Sequence, residues 1–171
     1  MILQEWLEGP DSNIYFCLAY CDTFGNVISH FTGRKIRSWP IQVGGTASCT
    51  SAFDSDHELL ALTQSFTKNI SYQGLIGIEY KFDVIRNKFY MIEPTVGRTD
   101  YQHEIAALSG CNYLEHMITH FGGLQSQKFV AKNGILWFDE IADANAALAE
   151  PNQLPVKVCK KVPALRRLSD P

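Results

Sequence analysis

At 171 residues, with 46% hydrophobic and 12% aromatic content, the chain is long enough to bury one core and sized for one domain or a piece of one. Charged residues make up 19% and the formal net charge is -3, so no broad basic field exists to hold a phosphodiester backbone, and nucleic acid is excluded as a main partner. The cysteines Cys17, Cys21, Cys49, Cys111 and Cys159 form no CxxC pair and no even framework, which suits free thiols in a reducing compartment. With acidic residues where a leader needs basic ones, and no apolar run of membrane-spanning length, the expectation is a cytoplasmic protein without a membrane partner.

In chain order, Asn13 to Cys21 and Val27 to Trp39 are rich in β-formers around the turn residues Asp22 to Asn26, and predict a long antiparallel hairpin. Ile41 to Ser51 is small and glycine-bearing, which predicts a loop or edge segment. Ser55-Asp56-His57-Glu58 has capping-box spacing, and Leu59, Leu62, Phe66 and Ile70 follow at helical intervals, so a helix is expected to about Ser71. Leu75 to Phe82 and Lys88 to Pro94 read as strands. A second helix starts near Thr99 to Gln102 and closes at Gly110; a third opens on Asn112 and Glu115 and ends before Gly122-Gly123. Asn133-Gly134 offers a tight turn between Phe129-Val130 and Leu136 to Phe138, Ala142 to Glu150 is a short helix, and from Pro151 the chain is a basic, proline-punctuated tail.

Chemistry concentrates in one hairpin. In Ile78-Glu79-Tyr80-Lys81-Phe82 and Phe89-Tyr90-Met91-Ile92-Glu93, a turn centred near Arg86 sets Glu79 directly opposite Glu93 on one face. Carboxylates placed that way repel, unless a cation sits between them or one takes up a proton. Magnesium suits such a pair, since one or two carboxylates hold it while phosphate oxygens and waters complete the octahedron. The alternative is that one glutamate is at a solvated strand end and the other pairs with a lysine. Just beyond, Glu93-Pro94-Thr95-Val96-Gly97-Arg98 offers an acid, a hydroxyl and an arginine able to grip a phosphoryl group or carboxylate. In Gly33-Arg34-Lys35-Ile36-Arg37, period-two alternation places Lys35 and Arg37 on one face, two cations turned together into a cleft. His116 and His120 have zincin spacing without the intervening acid, and are set aside.

Glu79, the intervening hairpin, Glu93 and the trailing Arg98 resemble the metal-binding end of the ATP-grasp fold, most closely in its carbamoyl phosphate synthetase-like and D-aspartate ligase-like branch. Two departures stand out: Thr95 replaces the usual asparagine, and Arg98 falls one residue late. The resemblance implies an α+β fold, an antiparallel sheet flanked by helices forming the C-terminal lobe of an ATP-grasp domain. It implies Glu79, Glu93 and Thr95 as magnesium ligands, and Lys35, Arg37 and Arg98 as cations on the transferring phosphoryl group or the acceptor carboxylate. Gln4 to Gly9 resembles the family's hinge strand, with the backbone of Glu5, Trp6 and Leu7 reading adenine and Glu8 contacting ribose.

The implied activity is ATP-dependent ligation of a carboxylate to an amine, both of amino-acid type, through an acylphosphate. The resemblance covers Ile2 to Gly123, leaving 124–171 as a separate hairpin, helix and tail. The chain begins almost at the hinge, so the expectation is an incomplete lobe, inactive alone, whose partner is a missing N-terminal lobe or a second copy. Two rivals stand beside it: a non-catalytic interaction or dimerisation module derived from the same fold, and a hydrolase using Glu79 and Glu93 as an acid/base pair.

Overall fold

The computed structural model describes residues 3–99, 101–124, 132 and 134–150. The first hairpin is β1 (Ile14–Cys21) and β2 (Val27–Trp39). Asp22 organises its turn by accepting hydrogen bonds from the Phe24 and Asn26 backbone N–H groups at 2.8 Å, while Gly25 takes a φ of 75°. Next come β3 (Gly45–Ser51), α1 (Asp56–Asn69), β4 (Gly74–Asp83) and β5 (Lys88–Val96). The chain then forms α2 (His103–Leu108), α3 (Tyr113–Phe121), β6 (Leu136–Phe138) and α4 (Glu140–Ala149). One six-stranded sheet runs in the order β5-β4-β1-β2-β3-β6, and every neighbouring pair is antiparallel. The α+β architecture agrees with the sequence expectation.

All eight residues of β1 are buried, so the central strand is covered on both faces. Its odd residues Tyr15, Cys17, Ala19 and Cys21 pack with Ile76, Ile78 and Tyr80 under Leu59 of α1. Its even residues Phe16, Leu18 and Tyr20 pack with Phe31, Cys49, Ile105 and Tyr113, beneath α2 and α3. Burial pushes the Cys17, Cys49 and Cys111 thiols up to about 12 and Cys21 to about 11. These four are free, buried thiols, and no helix among the described residues is long and apolar enough to cross a membrane.

Two expectations need correction, the loop or edge segment before Ser51 and the cap on α1. Gly45 to Ser51 is an inner strand, paired with β2 on one side and β6 on the other. Its small residues carry little side-chain signal, yet backbone pairing needs none, and Ala47, Ser48 and Cys49 are buried. Ser55 makes no side-chain cap on α1; the neighbouring Asp56 turns to the sheet instead, where His30 Nε2 lies 3.0 Å away and Thr32 Oγ1 donates at 2.7 Å. Leu136 to Phe138 pairs with β3; the expected strand at Phe129-Val130 lies outside the described residues, as do Asn133, Cys159 and the tail from Pro151. Across the expected boundary after Gly123, β6 extends the same sheet and α4 packs on β2 and β3.

Two outcomes follow from this packing. A Cβ on Gly33 would sit 2.1 to 2.8 Å from the ring of Phe16, itself 1% exposed. Gly33→Ala is therefore expected to cost about 1–3 kcal/mol in urea unfolding, and an unshifted midpoint would contradict the packing. For Asp56, burial works to raise the carboxyl, but hydrogen bonds from His30 and Thr32 outweigh it and hold the group below its ordinary value. A lowered carboxyl pKa contributes stability above the unfolded value and loses it as pH falls through the folded one. Asp56→Asn is expected to flatten the decline in melting temperature below about pH 4, while the wild type keeps the steeper acid limb.

Candidate functional site

The site lies on the α2/α3 face of the sheet. From Asp83↔Lys88 to Tyr80↔Met91 the β4–β5 ladder is regular, and regular continuation would oppose Glu79 to Ile92. A one-residue shift between Glu79 and Tyr80 admits Ile92 as an extra residue and sets Glu79 directly opposite Glu93. Glu79 also pairs with Phe16 of β1 on its other side, which assigns the acids to the Phe16 and Leu18 face. The co-facing arrangement expected from sequence is present, produced by a bulge and not by the position of the turn.

Beside these acids a cleft of about 540 Å³ opens, floored by β1 and β4 and reaching Glu93 and Thr95 on β5. Lys35 enters it from β2 with its side chain only 3% exposed, and its Nζ lies 2.9 Å from Glu79 Oε1. The lysine pairing weighed as an alternative is thus formed by Glu79, while Glu93 faces the cleft from an exposed position. Among the described residues no group of three or more histidine, cysteine or acidic side chains converges to hold a metal. The donor set is two carboxylates and the Thr95 hydroxyl, all hard oxygen ligands, and it fits magnesium shared with a phosphate ligand, with Lys35 competing for Glu79.

Arg37 is a correction. Lys35 pairs with Cys49 but Arg37 pairs with Ser48, so Ile36 is an extra residue and the two cations lie on opposite faces. Arg37 Nη1 is 2.6 Å from Asp143 Oδ1 of α4, which also accepts from Ser48 Oγ at 2.5 Å. It docks α4 and is absent from the cleft lining. Arg98 is exposed and likewise outside the lining, because the Gly97 N–H is tied to Leu75 O at 2.9 Å and Tyr72 Oη at 2.7 Å before the chain turns away.

The N-terminal segment is not a strand. It lies along β5, where Gln4 Nε2 donates to Ile92 O at 3.1 Å and Glu5 pairs with Arg86 at 2.6 Å, and Glu5, Trp6 and Leu7 line the cleft. Glu8 belongs instead to a smaller neighbouring depression with Asp11 and Ile41. On the far wall, Gly44 folds tightly against the Trp39-Pro40 backbone, where any Cβ would approach to about 2.0 Å.

Two cleft residues escaped the sequence reading. Lys81, 7% exposed, lies two residues from Glu79 on the same face, with its Nζ 5.2 Å from the Trp6 ring centroid; period-two spacing from Glu79 was a usable signal. Gln102, 3% exposed, reaches across to Thr46, where its Nε2 donates to Oγ1 at 2.6 Å; nothing local in the sequence marks it.

No family model and no curated protein matches the chain. Solved structures do. Biotin carboxylase from Campylobacter jejuni, in complex with β,γ-ATP, shares 19% identity at a TM-score of 0.58, over 75% of this chain and 29% of that one. The biotin carboxylase domain of a thermophilic 2-oxoglutarate carboxylase, bound to bicarbonate, gives 14% and 0.55 over 77% and 30%. Urea carboxylase from Kluyveromyces lactis gives 12% and 0.54 over 70% and 11%. These carboxylases are ATP-grasp enzymes, and the likeness is one of fold: the described residues have the architecture of part of an ATP-grasp domain. The chain spans less than a third of the length of each of these structures.

The opposed roles of the two β2 cations are separable. Arg37→Met leaves Asp143, one quarter exposed, without its cation and is expected to cost about 1–3 kcal/mol in urea unfolding, without changing nucleotide affinity. Loss of nucleotide binding at unchanged stability would return Arg37 to the site.

Proposed function

We propose that this chain supplies the ATP- and magnesium-binding side of an ATP-dependent carboxylate–amine ligase. The observation that carries the reading is the in-register Glu79–Glu93 pair opening on the cleft beside Lys35. Glu79, Glu93 and Thr95 hold magnesium, the backbone of Glu5 to Leu7 with the Trp6 ring faces the nucleobase, and Lys35 and Lys81 take phosphate oxygens. Magnesium, when bound, supplies charge neutralisation at the phosphates. The protein's part is to fix the acids on a rigid hairpin, to direct fixed cations at the site where negative charge gathers, and to exclude water along the apolar floor of Ile14, Phe16 and Leu18. The reaction proposed is phosphoryl transfer from ATP to a carboxylate, giving an acylphosphate whose phosphate is then displaced by an amine. It requires no covalent protein nucleophile, and the buried thiols, all raised in pKa, are poor candidates for one. A reducing, cytoplasmic setting accords with these free thiols.

Because the chain spans under a third of the biotin carboxylases it resembles, the proposal is for one side of such a site. The 171 residues alone are expected to bind Mg-ATP weakly and to release no ADP in an amine-dependent way, whereas a longer chain completing an ATP-grasp domain does so. In calorimetry, magnesium without nucleotide is expected to give no tight site, since phosphate oxygens complete its shell. Glu93→Gln should reduce magnesium-dependent nucleotide affinity on the order of tenfold or more. Tight metal binding without nucleotide, or Mg-ATP affinity indifferent to Glu93→Gln, defeats the metal assignment.

A second reading is favoured by α3, whose Leu114, Ile118 and Phe121 are exposed along one side: an interaction module that keeps the fold without turnover. A nucleotide-indifferent dimer in native mass measurements would support it.

A further inference from the structure

The Gln102 carboxamide is hydrogen-bonded at one end and, among the described residues, unpartnered at the other. Its Nε2 donates to Thr46 Oγ1 at 2.6 Å, while its Oε1, buried from solvent, meets no hydrogen-bond donor among the described residues. The residue is 3% exposed and lines the cleft that also holds Glu79, Glu93, Lys35 and Lys81. A buried carboxamide oxygen without a donor is a costly arrangement that native proteins keep where something else completes it. Thr46, 7% exposed at the start of β3, fixes the plane of the amide, so the oxygen has a defined direction and is not a freely rotating surface group.

We propose that Gln102 is the recognition residue for the amine co-substrate, its Oε1 accepting an N–H of a primary amine or ammonium group. The inference rests on the ligase reading for its choice of ligand, and the choice follows from donor and acceptor chemistry. Phosphates and ionised carboxylates bring lone pairs and no proton, so a carbonyl oxygen repels them. The same cleft offers those groups the ammonium ions of Lys35 and Lys81 instead. The nucleobase faces Glu5 to Leu7 in the proposed arrangement. What remains is the one participant that consists of donors. An amine received at Gln102 shares the cleft with the acids and cations that gather the phosphoryl group and the carboxylate, which is what the second half of the reaction needs.

The test uses the 171-residue chain labelled with nitrogen-15 and titrated with glycine, L-aspartate and ammonium chloride, both with Mg-ADP and without it. The readout is the Gln102 side-chain amide resonance, with acetate as the amine-free control and calorimetry on Gln102→Leu alongside. At least one amine is expected to give a saturable shift at Gln102 that acetate does not reproduce. Gln102→Leu is expected to weaken that amine by about tenfold or more while Mg-ADP affinity stays unchanged. An amide resonance unmoved by all three amines, or moved equally by acetate, overturns the proposal, as does an amine affinity indifferent to Gln102→Leu. If Gln102→Leu does not fold, the wild-type titration alone decides. Failure of the ligase reading shows separately, as absence of Mg-ADP binding.

Discussion

Side chains on a strand alternate with a period of two, so a single extra residue in a ladder exchanges which groups face the site. The structure depends on this constraint because β1 is buried on both sides and its neighbours have no freedom to compromise. Two such insertions decide the chemistry. Ile92 brings Glu93 round to Glu79, while Ile36 takes Arg37 away from Lys35. The cleft therefore gathers two acids and two lysines from strands that would otherwise have delivered a different set.

The same arithmetic governs how the cleft and the helices divide the charged residues. Lys35 neutralises Glu79 within the cleft, and Arg37 with Ser48 fixes Asp143, fastening α4 to the opposite side. A cation pair that looks uniform in sequence performs two unrelated tasks, one at the site and one in packing. Each cation is nearly buried and has a carboxylate within reach, as removal of charge from water requires. Among the described residues no cation is paired with Glu93, which keeps an exposed position in the cleft beside Thr95.

Much of the fold was legible because its signals are local. The Asp22 turn, the α1 periodicity, and the Asn112 cap, whose side chain accepts from Glu115 N at 3.4 Å, all announce themselves within a few residues. Capping by Ser55 was misread: its side chain makes no cap bond, and the adjacent Asp56 is bonded across the sheet to His30 and Thr32. The strand at Gly45 to Ser51 was misread because small residues leave no periodic trace, although both of its edges are paired. In the site, the sequence reading set Glu79 opposite Glu93, although a bulge at Ile92 and not regular alternation produces the pairing; Lys81 could have been added by alternation from Glu79. Arg37 was lost to a bulge that depends on how β2 meets β3. Gln102 was invisible because its meaning comes from Thr46, 56 residues away in sequence.

The bulge at Ile92 has an effect outside the site as well. Among the described residues β5 is the outermost strand of its side of the sheet, and the N-terminal segment lies along only part of its border. A clean border of that kind is a template for stacking one molecule on the next. Here it is interrupted at Ile92, carries Pro94, which has no N–H to offer, and has the Ile92 carbonyl occupied by Gln4. The irregularity that turns Glu93 to the cleft face thus also makes this border a poor template for another strand.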